Sequence, residues 1–460
     1  MNTLSRWFFI WCVIVSATDS ARAQAPDQDV AAGEKGKQIV QFVKTAGQSI
    51  GFSGVVFAAR DGKPVAACAT GFADLDGKKP LTSTTLFEIA SATKPFTAMA
   101  VCKIAEQGKL KLDDSISLYL PDVPVTCQSI TVRHLLQHTS GISGHNRQGR
   151  GADIATVLPL FLKDGPQVKP GTRWEYWNQG YSLATEIAAR ASGKSYVEYC
   201  RTEIFKPAGM NSTCFTGDQG PPGALVAIGT SANRKPRSAL DHPYGSYGFE
   251  YRGMGGMVTN VWDLWRCDRA LKANRILNPE TKAEMFKAGP GGYGLGWFTG
   301  VDKHQRSFQK HGGSVRGFVC ELRRFPQDNA CLFVLGNRDK SEMGHQFHYL
   351  VKAIEQILFD QKLTPALPLP LNENQRDELA GTFIDDRNRT LTIESEGLCM
   401  RARIDWGNKA SRGFIGTDDN QKTVFFNGNS NTVLGLDQDA EGAVQSVSLL
   451  GGKLVFNRKK

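Results

Sequence analysis

The spacing of apolar residues indicates that strands and helices alternate over the first three quarters of the chain. Apolar positions recur at helical spacing from Lys35 to Ala46, and two apolar runs joined by Asp61-Gly62 predict a β-hairpin. Helical patterns fill Ile130 to Met210, strand patterns return from about Tyr293, and a further helix is predicted over His345–Phe359. Because strands open and close a region whose middle is helical, we expect an α+β fold, with one antiparallel sheet flanked by helices and an all-helical subdomain.

The later strand patterns divide between this sheet and a second, all-β region. The strands predicted for the sheet are Gly294–Phe298, Ser307–Lys310, Phe318–Leu322 and Ala330–Leu335. Beyond a Pro-rich linker at 363–372, short strands separated by turn residues predict a small sandwich or barrel, and these are Thr390–Ile393, Leu398–Arg403, Val424–Phe426 and Val447–Leu450. We therefore expect an α+β domain at 24–362 and a C-terminal all-β, barrel-like domain at 373–460.

The first 23 residues have the pattern of a cleaved signal peptide. Arg6 precedes the apolar run Trp7–Val15, and Ala21-Arg-Ala23 supplies small residues around a cleavage point. This run has nine residues. A helix that crosses a bilayer needs about 20 apolar residues. We expect removal after Ala23, a periplasmic or secreted protein, and no stable membrane span.

Charge and composition argue against several partners and cofactors. The chain has 55 Lys and Arg against 45 Asp and Glu, but the cations are scattered, so nucleic acid is not an expected partner. No Cys-x-x-Cys occurs, and His345 and His348 lack a third ligand, so no metal is expected. Gly193-Lys-Ser195 lacks the upstream glycine of a phosphate-binding loop, because Ala188 stands there. We expect no cofactor.

The cysteines leave the pattern of disulfides open. Of the ten cysteines only Cys12 precedes the predicted cleavage point, so an odd number remains and at least one thiol is free or pairs between chains. Export permits disulfides but does not require them. Cys320 and Cys331 are near in sequence, as are Cys200 and Cys214, but nothing in the sequence assigns a pairing.

Ser91-Ala-Thr-Lys94 is the first segment with a chemistry of its own. A helix is predicted to begin near Ser91 and to end at Gly108, since Pro95 fits only a first turn. Residues three apart share a helix face, so the hydroxyl of Ser91 and the amine of Lys94 can meet. Burial and the positive end of the helix disfavour the ammonium form, which allows the amine to act as a base. Alone, the motif also suits a helix N-cap beside a solvated lysine.

Two further segments supply groups that suit acyl transfer. Tyr176-Trp-Asn178 places a phenol, which can relay a proton, beside an amide that can both donate and accept hydrogen bonds. His311-Gly-Gly-Ser314 is predicted to lie on a strand, where the glycines let a substrate approach the backbone and the next N–H can face an oxyanion. Taken singly, these segments also suit an aromatic loop before a helix and a tight turn at a strand end.

Together, in this order, the three segments resemble the three boxes of the serine β-lactamase and penicillin-binding-protein superfamily, in its class C β-lactamase-like, esterase and D-peptidase branch. The resemblance runs from about Ile39 to Phe359. It includes four flanking segments, which are Leu135–Ile142, Pro207–Met210, Tyr293–Trp297 and Leu335–Asn337.

The resemblance implies a role for each matching residue. It implies an acylated serine, a first-box lysine and a tyrosine acting as general base and acid, which are Ser91, Lys94 and Tyr176. It implies substrate binding by Asn178, His311, Gly313 and Ser314. The backbone N–H groups of Ser91 and Ser314 match the oxyanion hole.

Three features depart from the usual pattern or extend it. His311 stands where many members have a lysine, which lowers the fixed positive charge and weakens the case for a strict β-lactam or carboxylate binder. Trp177 is larger than the serine or alanine often found there and is expected to narrow the site. The segment Glu378–Phe383 resembles β-barrel domains appended to D-aminopeptidase-like members.

The sequence therefore predicts an exported serine hydrolase with a Ser-Lys-Tyr acyl-enzyme mechanism. Its expected partner is a small-molecule ester, amide or D-amino-acid peptide, with cell-wall peptide among the candidates. The alternative is a catalytically inactive penicillin-binding-like module that binds cell-wall peptide or a partner. Composition does not decode specificity loops, so the substrate, the role of the C-terminal domain and the oligomeric state stay open.

Overall fold

A computed structural model of the protein describes residues 29–143, 153–244, 251–363, 367–396, 399–405, 409–417, 422–426, 433–449 and 454–459. The predicted signal peptide, residues 1–23, lies outside these ranges. Within them, none of the helices combines the length and the apolar character that a membrane crossing requires.

The elements of these ranges are numbered in chain order. The helices are α1 (Gly33–Ser49), α2 (Lys94–Glu106), α3 (Val132–Leu136), α4 (Ile154–Leu162), α5 (Asn178–Ser192), α6 (Tyr196–Tyr199), α7 (Lys206–Ala208), α8 (Val261–Lys272), α9 (Pro279–Phe286), α10 (Lys340–Met343), α11 (Gln346–Leu358) and α12 (Glu373–Leu379). The strands are β1 (Val30–Ala31), β2 (Gly54–Arg60), β3 (Lys63–Thr70), β4 (Phe87–Glu88), β5 (Cys214–Phe215), β6 (Ile228–Ser231), β7 (Arg234–Ser238), β8 (Met257–Thr259), β9 (Phe298–Val301), β10 (Ser307–Val315), β11 (Phe318–Phe325), β12 (Ala330–Gly336), β13 (Leu367–Pro368), β14 (Gly381–Ile384), β15 (Thr390–Glu396), β16 (Cys399–Ile404), β17 (Lys409–Thr417), β18 (Thr423–Phe426), β19 (Val433–Gln438), β20 (Val444–Leu449) and β21 (Leu454–Arg458).

One seven-stranded antiparallel sheet forms the centre of the first domain, which confirms the predicted α+β fold. Its order is β1-β3-β2-β12-β11-β10-β9, so the N-terminal hairpin meets the returning strands at the β2–β12 pair. Asp61 and Gly62 have φ of 53° and 73°, as a two-residue hairpin turn requires. Alternate residues of β2 enter different cores, since Val55 packs on the helical side and Val56 on the side of α1 and α11.

Helices cover both faces of this sheet. α1 and α11 pack on one face, and the group from α2 to α9 covers the other. α2 lies at the centre of that group, with ten of its 13 residues buried, including its first residue, Lys94. Gly108, with φ of 72°, follows the end of α2 as predicted. The start of α2, with Lys94, therefore lies between the sheet and the helical cluster.

The C-terminal domain is a closed barrel. Its sheet runs β13-β17-β16-β15-β14-β21-β20-β19-β18, and β17 also pairs with β18, so β14 to β21 form a ring. This confirms the all-β, barrel-like prediction. Leu367–Pro368, inside the predicted linker, pairs with β17, and Tyr349 of α11 contacts Phe426 of the barrel with ring centroids 5.1 Å apart. The domain boundaries themselves stay a prediction.

One predicted strand is wrong. The segment Gly294–Phe298 reads as a strand in sequence, but β9 begins only at Phe298. Gly296 has φ of 79°, and an added Cβ there would lie 2.9 Å from the Lys94 carbonyl oxygen. This segment is a loop packed against the start of α2 because its glycine permits a left-handed turn and a close approach.

None of the eight cysteines whose side chains the structure describes forms a disulfide. Eight cysteines are free thiols, and all eight are buried. Cys320 and Cys331 lie on neighbouring strands but face Leu335 and Arg324 across the ladder rather than one another. The described part of the chain is therefore stabilised by its packed cores and strand pairing.

Candidate active site

Ser91 lies on a turn with an unusual backbone, directly before α2. Residues Ala90–Thr93 form a 3-10 helix, so the predicted helix start near Ser91 is correct but the first turn is tighter than an α-helix. Ala90 has φ of 47°, a conformation that costs a non-glycine residue roughly 1–2 kcal/mol. The first N–H groups of a helix have no partner within it, which leaves the Ser91 N–H for an oxyanion. Ser91 is half-buried and lines a cavity.

A buried ion pair between Arg237 and Glu88, which lies next to the Ser91 turn in sequence, stabilises this turn. Glu88 of β4 is 1% exposed and accepts hydrogen bonds from the Arg237 guanidinium and the Tyr251 hydroxyl. Burial raises the pKa of Glu88, and the Arg237 charge and these hydrogen bonds oppose the rise. The Nε of Arg237 also donates to the Arg316 carbonyl at 2.7 Å, at the turn between β10 and β11. The pair thus links the Ser91 turn to the hairpin that carries His311 to Ser314.

Lys94 is completely buried with its amine against the nucleophile. Its Nζ is 3.1 Å from the Ser91 Oγ and donates to the Met254 carbonyl oxygen at 2.8 Å. The amine also lies over two aromatic rings, 4.9 Å from the centroid of Tyr176 and 5.5 Å from that of Tyr181. Burial lowers the pKa of Lys94 well below its ordinary value. The predicted contact between the Ser91 hydroxyl and a Lys94 amine of lowered pKa is therefore present.

Tyr176 lies on the cavity wall beside the same hydroxyl. Burial raises the pKa of Tyr176 above the ordinary value of a phenol, and a hydrogen bond with the Ser91 side chain opposes the rise. A phenol with a raised pKa keeps its proton at neutral pH and serves better as a donor or relay than as the initial base. Of the two groups, Lys94 is therefore chemically better suited than Tyr176 to accept a proton from the Ser91 hydroxyl.

His311 is a neutral imidazole. Its Nδ1 is 2.7 Å from the Gly312 carbonyl oxygen, which can only accept, so Nδ1 carries the proton. Its Nε2 then accepts from the Tyr293 hydroxyl, 2.9 Å away. Burial, and secondarily the Lys94 amine, lower the pKa of His311 to about 3, against the opposing Gly312 bond. The site thus lacks the fixed positive charge that a lysine would supply at this position.

The strand that follows His311 presents a free edge to the cavity. β9 pairs with β10 only as far as Lys310, so the next residues of β10 are paired on one side, by β11. A Cβ at Gly313 would overlap the Ile89 carbonyl oxygen, so glycine is needed for the strand to approach the Ser91 turn. Ser314 is exposed beside it. An extended substrate can add to this edge by backbone hydrogen bonds.

The cavity brings together all the cavity-facing residues expected from sequence. It measures about 760 Å³, and its lining includes Ser91, Tyr176, Asn178, His311, Gly313 and Ser314. Lys94 lies behind this wall, in contact with Ser91. The cavity is also lined by Lys340, His345 and His348. Within the described ranges, no group of three His, Cys, Asp or Glu side chains could hold a metal ion.

Trp177 does not narrow the site. Its side chain is 3% exposed and belongs to the core of the helical side, and it is absent from the cavity lining. The strand-like alternation around Tyr176 explains the difference, because neighbouring side chains in extended backbone point in opposite directions. Tyr176 therefore faces the cavity while Trp177 fills the core.

Other serines in suggestive motifs lack this environment. Gly47-Gln-Ser-Ile-Gly51 has the Gly-x-Ser-x-Gly spacing of a nucleophile elbow. However, Ser49 is the buried last residue of α1, and its hydroxyl donates to the Thr45 carbonyl at 2.7 Å. Ser307-Phe-Gln-Lys310 repeats the Ser-x-x-Lys spacing, but it lies on β10, where residues three apart point to opposite faces.

Sequence reasoning missed three groups that shape the site. Tyr293 and His138 fall in segments that the resemblance already includes, but nothing in those segments showed that they contact His311 and Tyr176. Glu88 carries no motif of its own. Its position three residues before the nucleophile was the one signal that could have marked it.

Comparison with known proteins agrees with the geometry. The family model described as Beta-lactamase matches residues 39–355. The chain is 31% identical over 308 residues to the putative penicillin-binding protein PbpX of Bacillus subtilis (strain 168), covering 65% of this chain and 74% of that protein. It is 29% identical over 262 residues to the D-alanyl-D-alanine-carboxypeptidase/endopeptidase AmpH of Escherichia coli (strain K12), covering 51% and 66%.

A solved structure extends the likeness to the fold. The octameric penicillin-binding protein homologue from Pyrococcus abyssi superposes with a TM-score of 0.66 at 22% identity, over 91% of this chain and 99% of that one. At this identity the match bears on the fold alone. The family model, in contrast, spans more than half of the chain and all three boxes. The chain belongs to the β-lactamase family and is a serine hydrolase related to the β-lactamases and penicillin-binding proteins.

Proposed function

We propose that the protein hydrolyses amide or ester bonds of D-amino-acid compounds through an acyl-enzyme on Ser91. The observation that carries this proposal is the 3.1 Å separation between the Ser91 Oγ and the Nζ of the fully buried Lys94. A serine hydroxyl needs an adjacent base to become a nucleophile, and a lysine serves only if burial makes it give up its proton. The contact between the two side chains and the lowered pKa of the Lys94 amine support this role.

Acylation begins with a proton transfer inside the buried pair. The neutral Lys94 amine accepts the proton of Ser91 while the Oγ attacks the substrate carbonyl carbon. The oxyanion that forms accepts hydrogen bonds from the N–H groups of Ser91 and Ser314, and such a donor contributes about 3–4 kcal/mol. The bond to the leaving group then breaks, and the leaving nitrogen or oxygen takes a proton from Tyr176, which recovers one from Lys94.

Deacylation reverses the direction of the protons. A water molecule in the cavity gives a proton to the Tyr176 and Lys94 pair and attacks the acyl carbon. The Ser91 Oγ leaves and recovers its proton from the same pair. The two steps use one set of groups in opposite senses, as microscopic reversibility requires.

The environment of His311 supports an uncharged substrate group next to its imidazole. A neutral imidazole gives a carboxylate no ionic partner, whereas the free edge of β10 offers backbone hydrogen bonds to any extended acyl chain. AmpH is named a D-alanyl-D-alanine carboxypeptidase, so this relative supports the D-amino-acid part of the proposal, whereas the preference against a free carboxylate rests on His311 alone. We therefore favour D-amino-acid amides and esters, including cell-wall peptide, over β-lactams and free C-terminal carboxylates.

We further propose that the protein is exported by cleavage after Ala23. The charged, apolar and small-residue segments of residues 1–23 support this. N-terminal sequencing of the protein purified from the exporting cell should begin at Gln24. A protein that retains Met1 would contradict export by this route.

The substrate proposal is tested by a hydrolysis screen with the Ser91→Ala variant as blank. D-amino-acid amides, their L-enantiomers, p-nitrophenyl esters and nitrocefin are compared at one enzyme concentration. We expect turnover of D-amides and esters, little of nitrocefin, and none by the variant. Turnover confined to nitrocefin would contradict the substrate class. No turnover together with no covalent adduct on Ser91 would favour the inactive binding module.

A further inference from the structure

His138 holds the Tyr176 segment at two points of its backbone. The N–H of Glu175 donates to the His138 carbonyl oxygen at 2.8 Å. The N–H of Trp177 donates to the Nδ1 of the His138 ring at 3.0 Å. These two donors are the residues on either side of Tyr176. One histidine therefore fixes the backbone of the tyrosine from both directions.

The ring of His138 also lies against the phenol itself. The two ring centroids are 4.3 Å apart, with an angle of 36° between the planes. Tyr181 and Tyr293 enclose the imidazole at 5.1 Å and 4.9 Å. The His138 side chain is buried at 1% exposure, so it has little freedom to move away. The contact leaves the Tyr176 ring a narrow range of orientations toward the cavity.

The chemistry of the imidazole suits this holding role. Because Nδ1 accepts a hydrogen bond, the ring must be neutral with its proton on Nε2. Burial, then the Lys94 and His311 side chains, lower the pKa of His138 well below its ordinary value, and the Trp177 N–H opposes this. The neutral ring keeps the acceptor that the Trp177 N–H uses.

His138 has an uncommon backbone conformation. Its φ is 56°, in the left-handed region that few residues other than glycine adopt, although asparagine, aspartate and histidine are enriched there. Such strain persists where surrounding contacts over-determine a conformation. This conformation lets the carbonyl and the ring of one residue reach both neighbours of Tyr176.

We propose that His138 is a positioning residue that holds the Tyr176 phenol in place for proton transfer to the leaving group. The inference rests on the proposed function, because it takes Tyr176 as the proton donor. It assigns His138 no contact with substrate. Loss of the imidazole lets the phenol shift, and a misplacement of about 1 Å costs on the order of 100-fold in rate.

The test compares two substitutions at His138 with one at His134. His138→Ala removes both the acceptor and the ring, whereas His138→Asn keeps an acceptor at Oδ1 and tolerates positive φ. His134 is the matched control, since its Nδ1 also accepts a backbone N–H, from Thr131 at 3.1 Å, one helical turn away. Thermal unfolding of each variant reports folding separately from rate.

The probes are the amide and the p-nitrophenyl ester of one D-amino acid, because p-nitrophenolate leaves without a proton from Tyr176. Acylation is followed in single turnovers, because deacylation is common to both substrates. We expect His138→Ala to lower the acylation rate constant, and with it kcat, on the amide about 100-fold, with a smaller loss of the acylation rate constant on the ester and little change in KM. His138→Asn should recover part of the amide activity. His134→Ala should keep both activities.

Two results would overturn the assignment. Equal losses on amide and ester for the folded His138 variants would show a general structural role. A raised KM with unchanged kcat would show a binding role. Tyr176→Phe, measured in parallel, separates this inference from the proposed mechanism: if that variant turns over the amide at the normal rate, the mechanism fails, whatever the His138 variants do. If His138→Ala does not fold, the Asn variant carries the test.

Discussion

The neutral state of His311 predicts a specific acid sensitivity of the fold. In the unfolded chain a histidine has a pKa of about 6.5, whereas burial lowers the pKa of folded His311 to about 3. Between these two pKa values His311 is protonated in the unfolded state and neutral in the folded state. The free energy of unfolding therefore falls as the pH falls. The contribution is fully present above pH 6.5 and is lost progressively from there to about pH 3.

The magnitude follows from the distance between the pH and the unfolded pKa. At pH 5 the gap is about 1.5 units, and each unit corresponds to 1.36 kcal/mol, so His311 should destabilise the fold by about 2 kcal/mol relative to pH 7. His311→Gln removes the titrating ring but keeps a neutral polar side chain. We therefore expect the stability difference between the variant and the natural protein to change by about 2 kcal/mol between these two pH values, in favour of the variant at pH 5.

Urea unfolding followed by tryptophan fluorescence at pH 7 and pH 5 measures this change. Comparing differences between the two proteins removes the contribution of every other titrating group, including His138. A difference that stays the same at both pH values would show that His311 has the same pKa in the folded and unfolded states. That result would refute the lowered pKa and reopen the case for carboxylate recognition by a protonated His311 below that pKa.

Three further substitutions test the framework of the site. Gly313→Ala should lower the free energy of unfolding in urea by about 1–3 kcal/mol, because the added Cβ would overlap backbone atoms. Gly312→Ala is the control and should be tolerated, because its Cβ would meet only the flexible Glu321 carboxylate, at 2.7 Å. Equal effects would contradict the close fit of β10 against the Ser91 turn. Glu88→Gln should cost about 3–5 kcal/mol by the same assay because it leaves a buried guanidinium without its charge, and a neutral effect would remove the ion pair as an anchor. Tyr293→Phe should cost about 1–3 kcal/mol by leaving the acceptor of His311 unpaired, and an unchanged midpoint of unfolding would contradict the assigned tautomer.

Much of the fold followed from local patterns. The Asp61-Gly62 hairpin, the helix that starts near Ser91 and the barrel strands each show a clear periodicity or turn signal. The strand predicted at Gly294–Phe298 failed because its apolar residues serve a loop packed on α2, and a short apolar run does not distinguish the two. The helical and sheet layers then followed from the order of the elements.

The electrostatic state of the site could not be predicted in the same way. A lowered pKa at Lys94 could be expected from the sequence, because Lys94 lies three residues after Ser91 in the first turn of a predicted helix. The neutral state of His311 depends on burial and on a hydroxyl from Tyr293, which only the folded chain brings together. Likewise, Trp177 and Tyr176 are adjacent in sequence, but only the path of the backbone decides which of them faces the cavity.

The proposed mechanism depends most on the activation of Ser91 by a neutral Lys94. Mass spectrometry after treatment with a fluorophosphonate probe measures this directly, with Lys94→Met as the comparison. We expect a single adduct on Ser91 in the natural protein and labelling slowed on the order of 100-fold or more in the folded variant. An adduct on another serine, or labelling of Ser91 at the same rate without the amine, would contradict the claim.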